Sequence, residues 1–182
     1  MVLNEEELKQ LIGCPKWKKH RILIALLYSA GLRIGEASRL EQRDIDMQRM
    51  TIHIRKSKYN KDRIVPLSHY LKKGLLDYYA QVCPIKYVFN GQASASALSV
   101  RAIQYIVRQT VKETGIQKPI TTHTFRHTYA THLLEQGLDI ITVRDLLGHE
   151  DITTTMKYLH VAQLDRSQKH SPLDRLYRWK ND

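Results

Sequence analysis

The chain has 182 residues, a length that suits one domain of about 100–200 residues. Hydrophobic residues make up 42%, which permits a packed core, and 8 glycines with 5 prolines are too few for a fibrous or low-complexity chain. Lys and Arg number 29 against 18 Asp and Glu, and the resulting net charge of +11 points to a polyanionic partner such as nucleic acid.

The amino terminus is acidic, Asn4-Glu5-Glu6-Glu7, the opposite of a signal peptide. Asn4 is placed to cap a first helix whose positive end takes the three glutamates, and Gly13 and Pro15 end it. Cys14 and Cys83 each stand beside a proline; they form no CxxC pair and no zinc-like spacing, which fits a reduced, cytoplasmic protein. Ile22 to Leu27 are apolar on every side, the pattern of a central buried helix, with Gly31 as its stop. The run is far too short to span a bilayer, so no membrane partner is expected. A short helix follows from about Gly35 to Leu40.

The period then changes. In TIHIR, Ile52 and Ile54 alternate with Thr51, His53 and Arg55, a half-buried strand. RIVPL reads as a second strand ended by Pro66, and the polar KSKYNKD between them makes the tip of a basic hairpin. Helices resume at about Leu71 to Val82 and Ser99 to Thr114, with a loop between them. Further helices run from about His123 to Gln136 and from Asp139 to Leu147, stopped by Gly137 and Gly148. Asp151 caps a helix that carries Tyr158, and Ser171-Pro172 opens a short amphipathic tail helix with Leu173, Leu176 and Tyr177 on one face. The expected fold is mainly α with a small antiparallel sheet (α+β), in one domain from 1 to 182.

Four places carry chemistry. On the helix of THTFRHTYATHLLEQG, a row through Ala130 and Leu134 reaches Arg126, with His123 one turn earlier. A cation ending a buried row needs a partner: either a phosphate held with His123 at the helix end, or an internal carboxylate. His123 and His127 are spaced i, i+4, but no third ligand follows, so no metal is expected. In GLRIGEASRL, Arg33 leaves the corner after the buried helix, and Glu36 is placed to orient it. The hairpin tip, Arg55 to Arg63, is either a solvated loop or a finger that reaches a nucleic-acid groove. In GHEDITTTMKYLH, His149 lies at a turn and Tyr158 follows two helical turns on; a lone tyrosine of the chain's ten is ordinarily a packing residue.

The combined order of these boxes resembles the tyrosine recombinases, the phage-integrase and Xer-like family. The resemblance covers about Val2 to His160 and implies the catalytic-domain fold of that family. It implies that Arg33 and Arg126 clamp a scissile DNA phosphate, with His123 and His149 beside them and Tyr158 as the nucleophile. It also implies a lysine on the hairpin. Lys58 matches the family's GKGxKxR pattern and is preferred to Lys61, although Ser57 and Tyr59 replace the flanking glycines. Transfer of the phosphate to Tyr158 gives a 3′-phosphotyrosyl link without metal, ATP or other cofactor. His123 would take the phenol proton and Lys58 would protonate the leaving 5′ oxygen. The implied partners are double-stranded DNA and further copies of the protein, as a tetramer on paired sites. The implied setting is a prokaryotic or phage-like, nucleoid-associated one. Family members usually carry an amino-terminal helical domain that clamps the other face of the DNA, so the chain is expected to be a catalytic fragment. Two other readings remain: DNA relaxation of the type IB topoisomerase kind, and a DNA-binding regulator without catalysis. The helix of Tyr158 is expected to shift in order to deliver its side chain.

Overall fold

The computed structural model describes residues 1–55, 62–91, 93 and 95–162. Helix α1 (Glu5–Gly13) opens with a reciprocal cap, in which the Glu7 N–H donates to Asn4 Oδ1 and the Asn4 N–H donates to Glu7 Oε2. Helix α2 (Lys18–Ser29) buries all six residues from Ile22 to Leu27 and packs against α1, α3 (Ile34–Arg39), α4 (His69–Val82) and α6 (Thr122–Glu135). A helix apolar all round has no face to offer solvent, so its neighbours enclose it.

Between α3 and α4 lies a three-stranded antiparallel sheet in the order β1 (Ile45–Asp46), β2 (Thr51–Ile54), β3 (Arg63–Pro66). The register pairs Ile52 with Val65 and Ile54 with Arg63, so Ile52, Ile54, Val65 and the Arg63 side chain share the buried face. The first strand was not expected: two residues show no alternation to read. Helix α5 (Val100–Thr114) is capped by Ser99 and ends at Gly115. The carboxy-terminal part holds α6, α7 (Ile140–Leu147) and α8 (Thr153–Leu159). Asp151 does not occupy the cap position of α8, which Ile152 takes, but its carboxylate still accepts from the Thr153 N–H at 2.9 Å. The expected tail helix with Leu173, Leu176 and Tyr177 lies outside the described residues, as does Lys58. Among the described residues no helix is long and apolar enough to cross a membrane.

The core has two parts. The larger runs from α1 and α2 through the sheet to α4 and α5; the smaller gathers Tyr129, Ala130, Leu134, Val143, Leu147 and Tyr158 from α6, α7 and α8. The seam between them is drawn by Gly31, which follows α2 with φ +55°. A Cβ there would overlap the ring of Tyr129, so both the backbone and the space exclude a side chain. Gly31→Ala is expected to destabilise the chain by about 2 kcal/mol, from positive φ plus overpacking. Thermal melting should show this as a fall of about 4–8 °C; an unchanged midpoint would contradict the packing at this seam.

Candidate active site

The site is organised by a buried carboxylate. Glu36 stands one turn into α3, and its oxygens receive the Arg33 backbone N–H at 2.8 Å and the Arg33 guanidinium at 3.0 Å. They also receive both terminal nitrogens of Arg63 in parallel, at 2.8 and 2.7 Å. Burial alone would push this carboxyl up. The Arg63 hydrogen bonds and charge, with Arg33 behind them, outweigh burial and hold it at about 2. The sequence reading of Glu36 as the residue that orients Arg33 is therefore correct, but the pairing is buried and shared. Arg63 was not singled out. Its signal was the period-two pattern of RIVP, which places it on the same buried face as Val65.

Arg126 sits in the second turn of α6 and is 5% exposed. The internal carboxylate, one of the two alternatives read from the sequence, is not its partner. Its guanidinium donates at 2.6 Å to the carbonyls of Gly31 and Leu147, at the carboxy-terminal ends of α2 and α7. Positive φ at Gly31 and Gly148 turns the chain at both ends, and unpaired helix-end carbonyls carry the partial negative charge that suits a cation. Burial, then the neighbouring Arg33 charge, lowers Arg126 to about 10, so it remains protonated at neutral pH. Arg33 joins the same corner by donating to the Gly148 carbonyl at 3.1 Å.

His149 follows directly. Arg126 has only protons to give, so at 2.9 Å from it His149 Nε2 is the acceptor, and the ring proton lies on Nδ1, which donates to Thr155 Oγ1 at 2.9 Å. Burial, then Arg126, pushes His149 down to about 3, which keeps it neutral. The Tyr158 ring stacks near it, with centroids 6.4 Å apart and planes 16° apart. Tyr158 is 4% exposed; burial raises its phenol, and Arg126 and Arg33 pull the other way.

The structure thus brings together Arg33, Arg126, His149 and Tyr158 and adds Arg63, Glu36 and Thr155. His123 stands apart: it is exposed in the first turn of α6 and lines a cavity of about 400 Å³ with Ile34, Gln104, Val107 and Arg108. Lys58 lies outside the described residues, but the strand that leads to it is fixed to the site through Arg63. A second cavity, of about 640 Å³, opens beside Arg63, Gly148 and His149.

The model of the phage integrase family matches residues 1–164. The chain belongs to this family. It is 34% identical over 178 residues to the tyrosine recombinase XerA of Thermococcus kodakarensis, a match that covers 94% of this chain and 62% of that one. The crystal structure of a XerA recombinase superposes with a TM-score of 0.81 at 30% identity, over 100% of this chain and 65% of that one. A XerH site-specific recombinase bound to its palindromic difH substrate, in a post-cleavage complex, gives a TM-score of 0.78 at 26% identity, over 90% of this chain and 50% of that one. The expected recombinase catalytic-domain fold is therefore the one observed, and the chain spans about half to two thirds of the length of these relatives.

The shifted groups make this phage integrase domain sensitive to acid. Glu36 sits at about 2 against an ordinary 4.5, so its contribution is complete above pH 4.5 and is lost as pH falls toward 2. His149 sits at about 3 against 6.5, so the unfolded chain takes up a proton between those values that the folded chain refuses, and stability falls with pH there too. Urea midpoints should decline below pH 6.5 and more steeply below 4.5. Glu36→Gln should remove the lower step and cost about 3–5 kcal/mol at pH 7, because two guanidiniums lose their carboxylate. Midpoints that stay level from pH 7 to 3 would contradict this account.

Proposed function

We propose that the chain is the catalytic domain, over 1–182, of a site-specific tyrosine recombinase that breaks and rejoins double-stranded DNA through Tyr158. One observation carries the reading: two guanidiniums, Arg33 and Arg126, act on a tyrosine in a partly buried corner, with a third, Arg63, beside them and the Glu36 carboxylate shared by Arg33 and Arg63. Such a corner has an excess of positive charge that solvent can only partly screen, and a phosphodiester supplies the missing anion. Arg33 and Arg126 hold its non-bridging oxygens, and their charge stabilises the five-coordinate phosphorus in place of a metal.

In the step itself, the Tyr158 oxygen bonds to phosphorus as the bond from phosphorus to the 5′ oxygen breaks. The phenol proton passes to His123, and Lys58 protonates the leaving 5′ oxygen. The phosphate remains esterified to the 3′ oxygen and to Tyr158, so its bond energy is kept and no ATP is consumed. Attack by a 5′ hydroxyl of another strand reverses the step on a new partner. His149 stays neutral and, once phosphate draws Arg126 away from its Nε2, supports the transferred group by its position beside Arg126.

The burial of Tyr158 supports a moving α8. The helix has seven residues, its cap position holds Ile152 without a side-chain hydrogen bond, and Thr153, Thr154 and Thr155 are weak helix formers. Amide exchange in α8 is expected to be much faster than in the buried stretch of α2; equal protection would argue against delivery by this helix.

The recombinase reading is preferred to relaxation of the topoisomerase kind because the relatives are named recombinases and one was solved on a recombination substrate. It is preferred to a DNA-binding regulator because a buried phenol beside a cationic cluster has no use in binding alone. The proposal extends to a tetramer on paired sites in the native protein and to a nucleoid-associated, cytoplasmic setting. A pool of nicked duplexes with randomised cores tests it. The protein should trap a covalent adduct at a 3′ phosphate, Tyr158→Phe should trap none, and Arg126→Lys should slow trapping by about 10²–10³-fold. An adduct formed by Tyr158→Phe, or joint molecules absent with two sites while one circle relaxes, would overturn it.

A further inference from the structure

The Tyr158 ring is held on three sides. His149 faces it, Lys157 of its own helix places Nζ 5.2 Å from the ring centre, and His127 of α6 meets it edge-on. The His127 contact is the closest of the two imidazole contacts, with centroids 4.8 Å apart and planes at 66°. The proposed chemistry gives His127 no task, although it is the ring nearest to the nucleophile.

His127 also has an unused polar atom. Its Nε2 is buried and has no hydrogen-bond partner among the described residues. A phenylalanine would fill the same space without stranding a nitrogen, so packing alone does not account for an imidazole here. No hydrogen bond joins the Tyr158 hydroxyl to another described residue either. Two rings in contact therefore each carry a polar group with no hydrogen bond to a described residue, buried in the case of His127, and the other ring rides on the short helix α8.

We propose that His127 is a positioning residue for the nucleophile, whose Nε2 accepts a hydrogen bond from the Tyr158 hydroxyl as α8 shifts and so steers the oxygen to its place on DNA, before that single proton turns to His123 for transfer. No proton is transferred to His127 in this role; Nδ1 keeps the ring proton and Nε2 keeps its lone pair. The groups that face the ring fit a neutral imidazole. Burial lowers its basicity first, and then the Met1 amine on the amino-terminal segment and Lys157 on α8; Tyr158 and, behind it, His149 are uncharged at neutral pH. In acid, a protonated Nε2 has no lone pair to offer and the positioning is lost.

The inference rests on Tyr158 being the nucleophile, and its test keeps the two apart. The protein as its gene encodes it is compared with His127→Phe, His127→Gln and Tyr158→Phe. The readouts are single-turnover adduct formation on nicked duplexes selected from a randomised pool, DNA affinity and melting. His127→Phe keeps the ring and removes Nε2. It is expected to slow adduct formation by about tenfold or more, with DNA affinity nearly unchanged. His127→Gln restores a polar atom near the Nε2 position and should recover part of the rate. The wild type should lose rate more steeply on the acid side than either His127 variant. If His127→Phe fails to fold, the glutamine variant decides alone: its acid-side loss should be shallower than that of the wild type. A wild-type rate and pH profile in His127→Phe, an acid-side loss in His127→Gln as steep as in the wild type, or a glutamine variant no faster than a folded phenylalanine one would overturn the inference. An adduct on Tyr158→Phe would instead overturn the assignment of the nucleophile.

Discussion

The Glu36 carboxylate is the constraint on which the arrangement depends. It is the only acid hydrogen-bonded to Arg33 and Arg63 among the described residues, and these two come from segments about thirty residues apart in the chain. A buried pair of this kind offers little net stability, since both charges must leave water. Its effect is to fix geometry. The fork of Arg63 locks β3 to α3, and the Arg63 Nε donates to the Leu146 carbonyl at 2.8 Å, which locks both to α7. Removing the carboxylate would leave guanidiniums facing each other in a low-dielectric corner, where repulsion is screened poorly. The hairpin, the Arg33 corner and the His149 turn are thus held in one frame by two oxygens.

Around that frame the charges are deliberately unbalanced. Arg126 is held by two backbone carbonyls and a neutral histidine rather than by an acid, so it keeps its full charge. Carbonyl dipoles satisfy its hydrogen bonds but do not neutralise it. An arriving phosphate would compete with dipoles, not with a carboxylate, and that is a contest an anion wins. His149 takes part through its tautomer. With Nδ1–H donated to Thr155, its Nε2 lone pair holds Arg126 in place, and Thr155 belongs to the helix that carries Tyr158. A change at Arg126 is therefore felt at α8 through one imidazole and one hydroxyl. In the proposed reaction this gives phosphate binding a direct physical route to the nucleophile's helix.

Much of this frame was legible in the sequence, because helix ends announce themselves locally. Asn4 with Glu7, and the glycines at 31, 137 and 148 where φ turns positive, all stand where residue type alone predicted a start or a stop. The unbroken apolar run of α2 and the alternation of β2 were equally plain. What escaped was long-range or carried by backbone. The partners of Arg126 are carbonyls of residues 31 and 147, which have no side-chain signature, so the sequence left only a choice between a phosphate and a carboxylate. Arg63 read as one more cation at a basic hairpin tip, when its strand period already placed it on the buried face. The short strand β1 escaped because pairing with β2, not its own pattern, makes it a strand. His127 was weighed only as a metal ligand for want of any reason to expect Tyr158 against it.

Tyr158 answers to two demands that pull against each other. It belongs to the smaller core with Val143 and Leu147, and a residue 4% exposed cannot touch a phosphate in solvent. Taking a large ring out of such a core costs about 1.5–3 kcal/mol, which leaves the advanced position populated at roughly 0.6–7% in the free protein. In the proposed reaction, a nucleophile kept at that level is protected from stray attack on DNA. The same cost must then be met when the substrate is bound, and the charge of Arg33, Arg63 and Arg126 in excess of the one Glu36 carboxylate is the available source. In the proposed reaction the excess positive charge serves twice: it binds the phosphate, and it offsets the loss of Tyr158 from the core. A neutral corner would bind the protein's own tyrosine better and DNA worse, and the helix would have no reason to move.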